Sequence, residues 1–196
     1  MDFMKIGVLA LQGDFAEHIS VLERIGVEAV EVRLPEQLQG LDGVIIPGGE
    51  STTIAKLATA YNLMEPLRLF GSEKAIWGTC AGAILLSSDV HSTQTLLRLM
   101  DITVKRNAFG RQVASFEADL DVPALKSSGF GEQPYHAIFI RAPLIESLGK
   151  EAHSLAQLPD GCIVAAEQGH LLATSFHPEL STDDRFHRYF LSLVSR

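Results

Sequence analysis

Lys74-Ala75-Ile76-Trp77-Gly78-Thr79-Cys80-Ala81-Gly82-Ala83-Ile84-Leu85-Leu86 is the stretch that decides the fold. Through Thr79 it reads as a short buried strand, and from Ala81 to Leu86 as the start of an apolar helix. Between them stands Gly78-Thr79-Cys80-Ala81-Gly82, of the form G-x-C-x-G. Glycines two before and two after the cysteine let backbone segments approach closely, so a sharp strand-to-helix turn can present the sulfur. The turn also sets Cys80 at a helix N-terminus, whose partial positive charge favours thiolate over thiol. The competing reading is a small buried cysteine in a tight turn. The apolar strand before it and the apolar helix after it favour the nucleophile.

Upstream, strand and helix alternate. Lys5 to Leu11 is a strand, Asp14 to Ile25 a helix with Phe15, Ile19, Leu22 and Ile25 at near-helical spacing, and Ala29 to Arg33 a second strand. Gly43 to Ile46 is a third strand, stopped by Pro47-Gly48-Gly49. A helix capped by Ser51 runs to about Tyr61, and another spans Met64 to Phe70. This order implies a parallel sheet with helices on both faces and a site at the carboxyl ends of the strands. Gln12-Gly13, Pro47 to Ser51 and Gly78 to Gly82 all fall there and are expected on one rim.

Downstream the chain is richer in strands: Leu99 to Val104, Ala114 to Leu120, Ala137 to Arg141, His153 to Gln157, Cys162 to Glu167 and His170 to Phe176. Leu158 to Gly161 and Gln168-Gly169 supply turns. Thr182 to Val194 closes the sequence as an amphipathic helix, with Asp183 and Asp184 in its first turn. Ser87 to Thr95 carries no catalytic pattern. At 196 residues with no linker or repeat, one domain over 1–196 is expected. The net charge of -8 argues against nucleic acid as a partner. No stretch approaches the roughly 18 apolar residues of a membrane span. The start, Met1 to Lys5, lacks an export signal, and two cysteines then suggest a reduced, cytoplasmic setting.

A cysteine nucleophile needs a base, and the base an orienter. His177 in Phe176-His177-Pro178-Glu179 follows an apolar strand. Pro178 biases His177 toward extended backbone, so Glu179 can reach back to its imidazole. The other six histidines read as structural or surface residues, and no metal-ligand spacing is present, so no metal is expected. Gly48-Gly49 and the Ala81 N–H are the candidate oxyanion donors.

Together, Gly78 to Gly82 and His177-Pro178-Glu179 resemble the class I (triad) glutamine amidotransferases. Ala10-Leu11-Gln12-Gly13-Asp14, Pro47-Gly48-Gly49-Glu50-Ser51-Thr52-Thr53, Arg106 to Gln112 and Phe139-Ile140-Arg141-Ala142-Pro143 narrow the resemblance to the glutaminase subunits of pyridoxal 5'-phosphate synthases. That resemblance implies a flavodoxin-like α/β fold, with a mixed, mostly parallel central sheet flanked by helices. It implies hydrolysis of L-glutamine to glutamate and ammonia through a thioester on Cys80, with no cofactor. Gly49, Glu50, Ser51, Arg106, Ile140 and Arg141 would contact glutamine, and which arginine meets its carboxylate is left open. The implied partner is a separate synthase subunit that takes the ammonia, in a dodecamer of heterodimers, with Gln12-Gly13 and the first helix sharing in the coupling. Two other readings use the same fold: a non-catalytic regulatory subunit, and a stand-alone hydrolase such as a γ-glutamyl enzyme or a peptidase.

Overall fold

The computed structural model describes residues 4–106 and 115–196. Twelve strands and six helices follow one another along these residues. The first part holds β1 (Lys5–Leu9), α1 (Phe15–Arg24), β2 (Glu28–Val32), β3 (Gly43–Ile46), α2 (Ser51–Ala60), α3 (Met64–Glu73), β4 (Ala75–Thr79) and α4 (Ala81–Leu86). The second holds β5 (Ser87–Asp89), β6 (Met100–Lys105), β7 (Ser115–Leu120), α5 (Pro123–Ser127), β8 (Tyr135–Ile140), β9 (Leu144–Leu148), β10 (His153–Gln157), β11 (Ile163–Gln168), β12 (Leu171–Thr174) and α6 (Arg185–Val194).

The main sheet runs β2-β1-β3-β4-β12-β11-β9-β6-β5, with β10 also paired to β11. The run from β2 through β4 to β12 is parallel throughout, in the strand order of a flavodoxin-like sheet. Beyond β12 the pairings turn antiparallel, except between β5 and β6. The expected mixed, mostly parallel sheet is therefore present, its parallel run built from the first four strands and β12. β7 and β8 form a separate antiparallel hairpin.

Alternation along the strands divides the core in two. Val44, Ile46 and Ile76 face a cluster that includes Ile54 of α2, Leu67 of α3 and Leu85 of α4. Ile45 and Trp77 point the other way, toward Leu22 of α1 and Phe186 and Phe190 of α6. The period-2 pattern of strands and the apolar stripes of the helices thus build three layers. Gly82 is required by this packing, since a Cβ there would lie 2.0 Å from the Ile46 carbonyl oxygen.

Several local expectations need correction. Glu50, not Ser51, caps α2: its carboxylate accepts from the backbone N–H groups of Thr52 and Thr53 at 3.2 and 2.7 Å. Glutamate is an uncommon cap, but here its longer side chain folds back to both donors. Asp183 and Asp184 precede α6 instead of occupying its first turn, and they pair with Arg185 and Arg188. β9 and α5 form in segments where the sequence reading places no element. Asn107 to Gln112, Ala114 and Met1 to Phe3 lie outside the described residues.

Candidate active site

Gln12-Gly13 after β1, Gly49-Glu50-Ser51 after β3, and Cys80-Ala81 after β4 meet in one cleft of about 510 Å³. Arg106 after β6, Ile140-Arg141 at the end of β8 and His177 beyond β12 complete its walls. The expected single rim is formed, at the carboxyl ends of the parallel strands. β2 and β3 lie on opposite sides of β1 in the sheet, and the cleft sits beside that switch point.

Cys80 occupies the apex of the turn with φ 49° and ψ -102°, a conformation that side chains rarely adopt. Two restraints hold it there. Its N–H donates to the Thr174 carbonyl at 2.8 Å, tying the turn to β12. A Cβ on Gly78 would come within 2.4 Å of the Gly82 backbone, so only glycine lets strand and helix close on each other. Cys80 is buried, 7% exposed, and its sulfur lies 3.9 Å from the Ile140 carbonyl oxygen. Both cysteines are free thiols.

His177 follows β12, and its N–H donates to the Ile138 carbonyl at 2.8 Å, fastening it to β8. Its Nδ1 lies 2.6 Å from Glu179 Oε1 and 3.4 Å from Asp14 Oδ2. Burial alone would push the His177 pKa down. Hydrogen bonds to Asp14, Cys80 and Glu179 override it and raise the pKa, so the imidazolium is the favoured form. Burial raises the Glu179 pKa, opposed by the same bond to His177. The His177 bond holds Asp14 below the ordinary carboxylate range. Asp14, His177 and Glu179 are the one group of three potential metal donors found among the described residues, their atoms lying within 4.8 Å of one another. Their mutual hydrogen bonding accounts for that closeness without an ion.

The glycine pair after β3 is wedged against the first loop. A Cβ on Gly49, at φ +148°, would meet Gln12 Oε1 at 2.6 Å. Gln12 Oε1 accepts from the Glu50 N–H at 2.7 Å, and the Gly48 carbonyl accepts from the Asp14 N–H at 3.1 Å. Gly48 itself does not line the cleft; a Cβ there would strike His177 Cε1 at 2.6 Å.

On the opposite wall, Arg106 donates to Gln94 Oε1 at 2.9 Å, to Thr52 Oγ1 at 3.3 Å and to Glu50 Oε1 at 3.3 Å. Burial would raise the Glu50 pKa, but bonds from Thr53 and Thr52 hold it at about 2. Ser51 Oγ donates to the same Gln94 oxygen at 3.2 Å. Arg141 is exposed, at φ 44°. A cleft with a carboxylate, two guanidiniums and backbone groups suits a small zwitterion.

Sequence reasoning missed Asp14, His18 and Gln94 as members of this network. Asp14 and His18 read as an ordinary helix start, and Gln94 lies in a segment without periodicity. The capping-box-like position of Asp14 was the one signal that could have singled it out. No helix among the described residues is long and apolar enough to cross a membrane.

Comparison with known proteins gives a consistent family. The pyridoxal 5'-phosphate synthase subunit PdxT of Dehalococcoides mccartyi is 57% identical over 196 residues, covering 97% of this chain and 97% of that protein. The protein of the same name from Chloroflexus aurantiacus is 55% identical over 195 residues, covering 97% and 100%. A crystal structure of a glutamine amidotransferase superposes with a TM-score of 0.90 at 49% identity, over 97% of this chain and 99% of that one. PurLQS from Thermotoga maritima shares the fold at a TM-score of 0.72 and 15% identity. A family description matches residues 8–196, and the chain belongs to the SNO glutamine amidotransferase family.

Proposed function

We propose that this chain is the glutaminase subunit of a pyridoxal 5'-phosphate synthase, hydrolysing L-glutamine and passing the ammonia to a synthase subunit. The observation that carries the reading is the strained Cys80 turn opening into the same cleft as the buried His177–Glu179 pair. Relatives named as subunits of that synthase, at 55–57% identity over nearly the full chain, support the pathway.

The chemistry follows from the geometry. Cys80 Sγ attacks the carbon of the glutamine side-chain amide, forming a C–S bond and a tetrahedral oxyanion. Backbone N–H groups of the Gly48-Gly49 turn and of Ala81 are the proposed donors to that oxyanion. His177, already favoured as imidazolium, gives its proton to the nitrogen as the C–N bond breaks, and ammonia leaves. His177 then takes a proton from water as the water attacks the thioester. The C–S bond breaks, glutamate departs and the thiolate–imidazolium pair is restored. Glu179 keeps Nδ1 of His177 protonated throughout.

Glu50, Ser51 and the Gly49 backbone are the proposed partners of the glutamine α-ammonium side, and Arg106 or Arg141 of its carboxylate. Ile140 would contribute its backbone beside the sulfur. An assembly with the synthase as a dodecamer of heterodimers, in the cytoplasm, belongs to the same proposal. A single domain over 1–196 is consistent with the two core clusters sharing one sheet.

Glutamate release, measured with and without synthase subunit, tests the reading. We expect release that rises on adding synthase and is abolished by Cys80→Ala. Full turnover without any partner would instead favour a stand-alone hydrolase, and unchanged release by Cys80→Ala would remove Cys80 from the mechanism. Sedimentation of the mixed subunits tests the assembly.

A further inference from the structure

Two more histidines lie behind the His177–Glu179 pair, His18 on α1 and His187 on α6, both with no exposed surface. The reaction above gives neither a task. Burying an imidazole strips water from two polar nitrogens and is costly unless each finds a partner. His18 finds several. Its Nδ1 lies 3.0 Å from His187 Nε2, and its Nε2 lies 3.2 Å from Thr79 Oγ1 and 3.3 Å from Glu179 Oε2. Trp77 holds both rings edge-on, with centroids 5.7 Å from His18 and 5.0 Å from His187.

The protonation pattern follows from these contacts. Burial, helped by His187 and His177, holds His18 well below the ordinary histidine range. Burial likewise takes His187 down to about 3. Each ring is therefore neutral near pH 7 and carries one N–H. Only one of the two facing nitrogens, His18 Nδ1 and His187 Nε2, bears a proton. Glu179 Oε1 is committed to His177, while Oε2 is buried and has no well-aligned hydrogen bond. His18 Nε2 faces it at 3.3 Å. If that nitrogen bears the hydrogen, it lies between the Thr79 hydroxyl and the carboxylate. His18 Nδ1 is then bare and accepts from His187 Nε2–H. His187 Nδ1 is bare as well, and it has no partner among the described residues. The reverse assignment would leave His187 with a buried N–H donating to nothing and aim a lone pair at the carboxylate.

We propose that His18, held in its Nε2–H tautomer by His187, is a positioning residue that pins the outer oxygen of Glu179 so that the inner one stays on His177. This rests on the glutaminase reading, because it assigns Glu179 its role. His18 touches neither substrate nor sulfur; it acts through Glu179.

Nitrogen-15 spectra of the histidine rings in the full chain test the tautomers directly and do not depend on turnover. We expect both His18 and His187 to be neutral with hydrogen on Nε2 at pH 7. Hydrogen on His18 Nδ1, or a charged His18, overturns the proposal even if glutaminase activity is intact. Absence of glutamate release from the wild-type complex would instead strike the glutaminase reading and leave the tautomer result standing. Kinetics with the synthase complex supply the second arm. His18→Leu should lower kcat about ten- to a hundredfold with KM for glutamine unchanged, and His18→Gln, whose amide can place an N–H near the lost Nε2, should recover most of it. Wild-type kcat in His18→Leu, or a glutamine variant as impaired as the leucine one, overturns the role. Should His18→Leu not fold, His187→Leu serves in its place. It should give a mixture of His18 tautomers with a severalfold lower kcat, and a pure Nε2–H signal with full kcat overturns the proposal.

Discussion

A Cβ on Gly13 would fall 1.7 Å from the Gly48 carbonyl oxygen, so the loop after β1 and the turn after β3 are in backbone contact where the cleft begins. Gly13 also sits at φ +97°, where a side chain is strained whatever the space. Gly13→Ala is therefore expected to displace the Gly48-Gly49 turn. Glutamate release should fall at least tenfold, and the melting transition should drop by the equivalent of about 1–3 kcal/mol. Wild-type turnover in this variant would show that the turn does not depend on the contact.

Cys80 carries strain that glycine would not. At φ 49° and ψ -102° a Cβ is unfavourable, and both Cys80→Gly and Cys80→Ala remove the sulfur. The glycine variant is expected to be the more stable of the two by about 1 kcal/mol, despite glycine's larger entropy in the unfolded chain. Urea denaturation of the two inactive variants measures the difference; an alanine variant of equal or greater stability would show the turn to be relaxed.

Stability should depend on pH in a window set by histidines. The folded-state values of His18 and His187 are depressed, that of His187 to about 3. The unfolded chain therefore binds more protons as pH falls below about 6.5, and stability is lost. From pH 6.5 to 5, ahead of most carboxylate titration, each neutral buried ring contributes a loss of up to about 1.4 kcal/mol per pH unit. Above pH 6.5 the raised His177 acts with the opposite sign, its stabilisation fading as pH climbs toward its folded value. Urea midpoints across pH 5 to 8 should show the acid slope, and His187→Leu should flatten it. A midpoint independent of pH between 5 and 6.5 would contradict neutral burial.

Gln94 gives one oxygen to both Ser51 and Arg106. Gln94→Ala releases the guanidinium from its aligned position beside Glu50. KM for glutamine is expected to rise about tenfold, which corresponds to about 1.4 kcal/mol, with a smaller effect on kcat. Steady-state kinetics with the synthase complex separates the two parameters.

Contiguous segments were the legible ones. Gly43–Ile46 and Ala81–Leu86 form the elements that their apolar runs imply, and the Gly78 to Gly82 turn is the sharp strand-to-helix turn expected, with a positive φ at Cys80. Leu144–Leu148 escaped because Pro143 precedes it and Glu146 and Ser147 interrupt its apolar pattern. Periodicity reports which face of an element is buried, not what it is buried against. His18 lies beside Val21 and Leu22 on the buried stripe of α1, yet its partners come from β4, α6 and the turn after His177. Gln94 likewise acquires its role only once Ser51, at the start of α2, and Arg106, just after β6, meet at its side chain.

The place of β12 in the sheet has a consequence for how the protein is made. This strand lies between β4 and β11, although it is encoded after all the others, and His177 and Glu179 follow directly behind it. While a ribosome is still extending the chain, Cys80 has neither its proton carrier nor the Thr174 carbonyl that helps shape its turn. Closing the parallel sheet and arming the thiol are one late, long-range event, so a half-made chain has a cysteine but no chemistry.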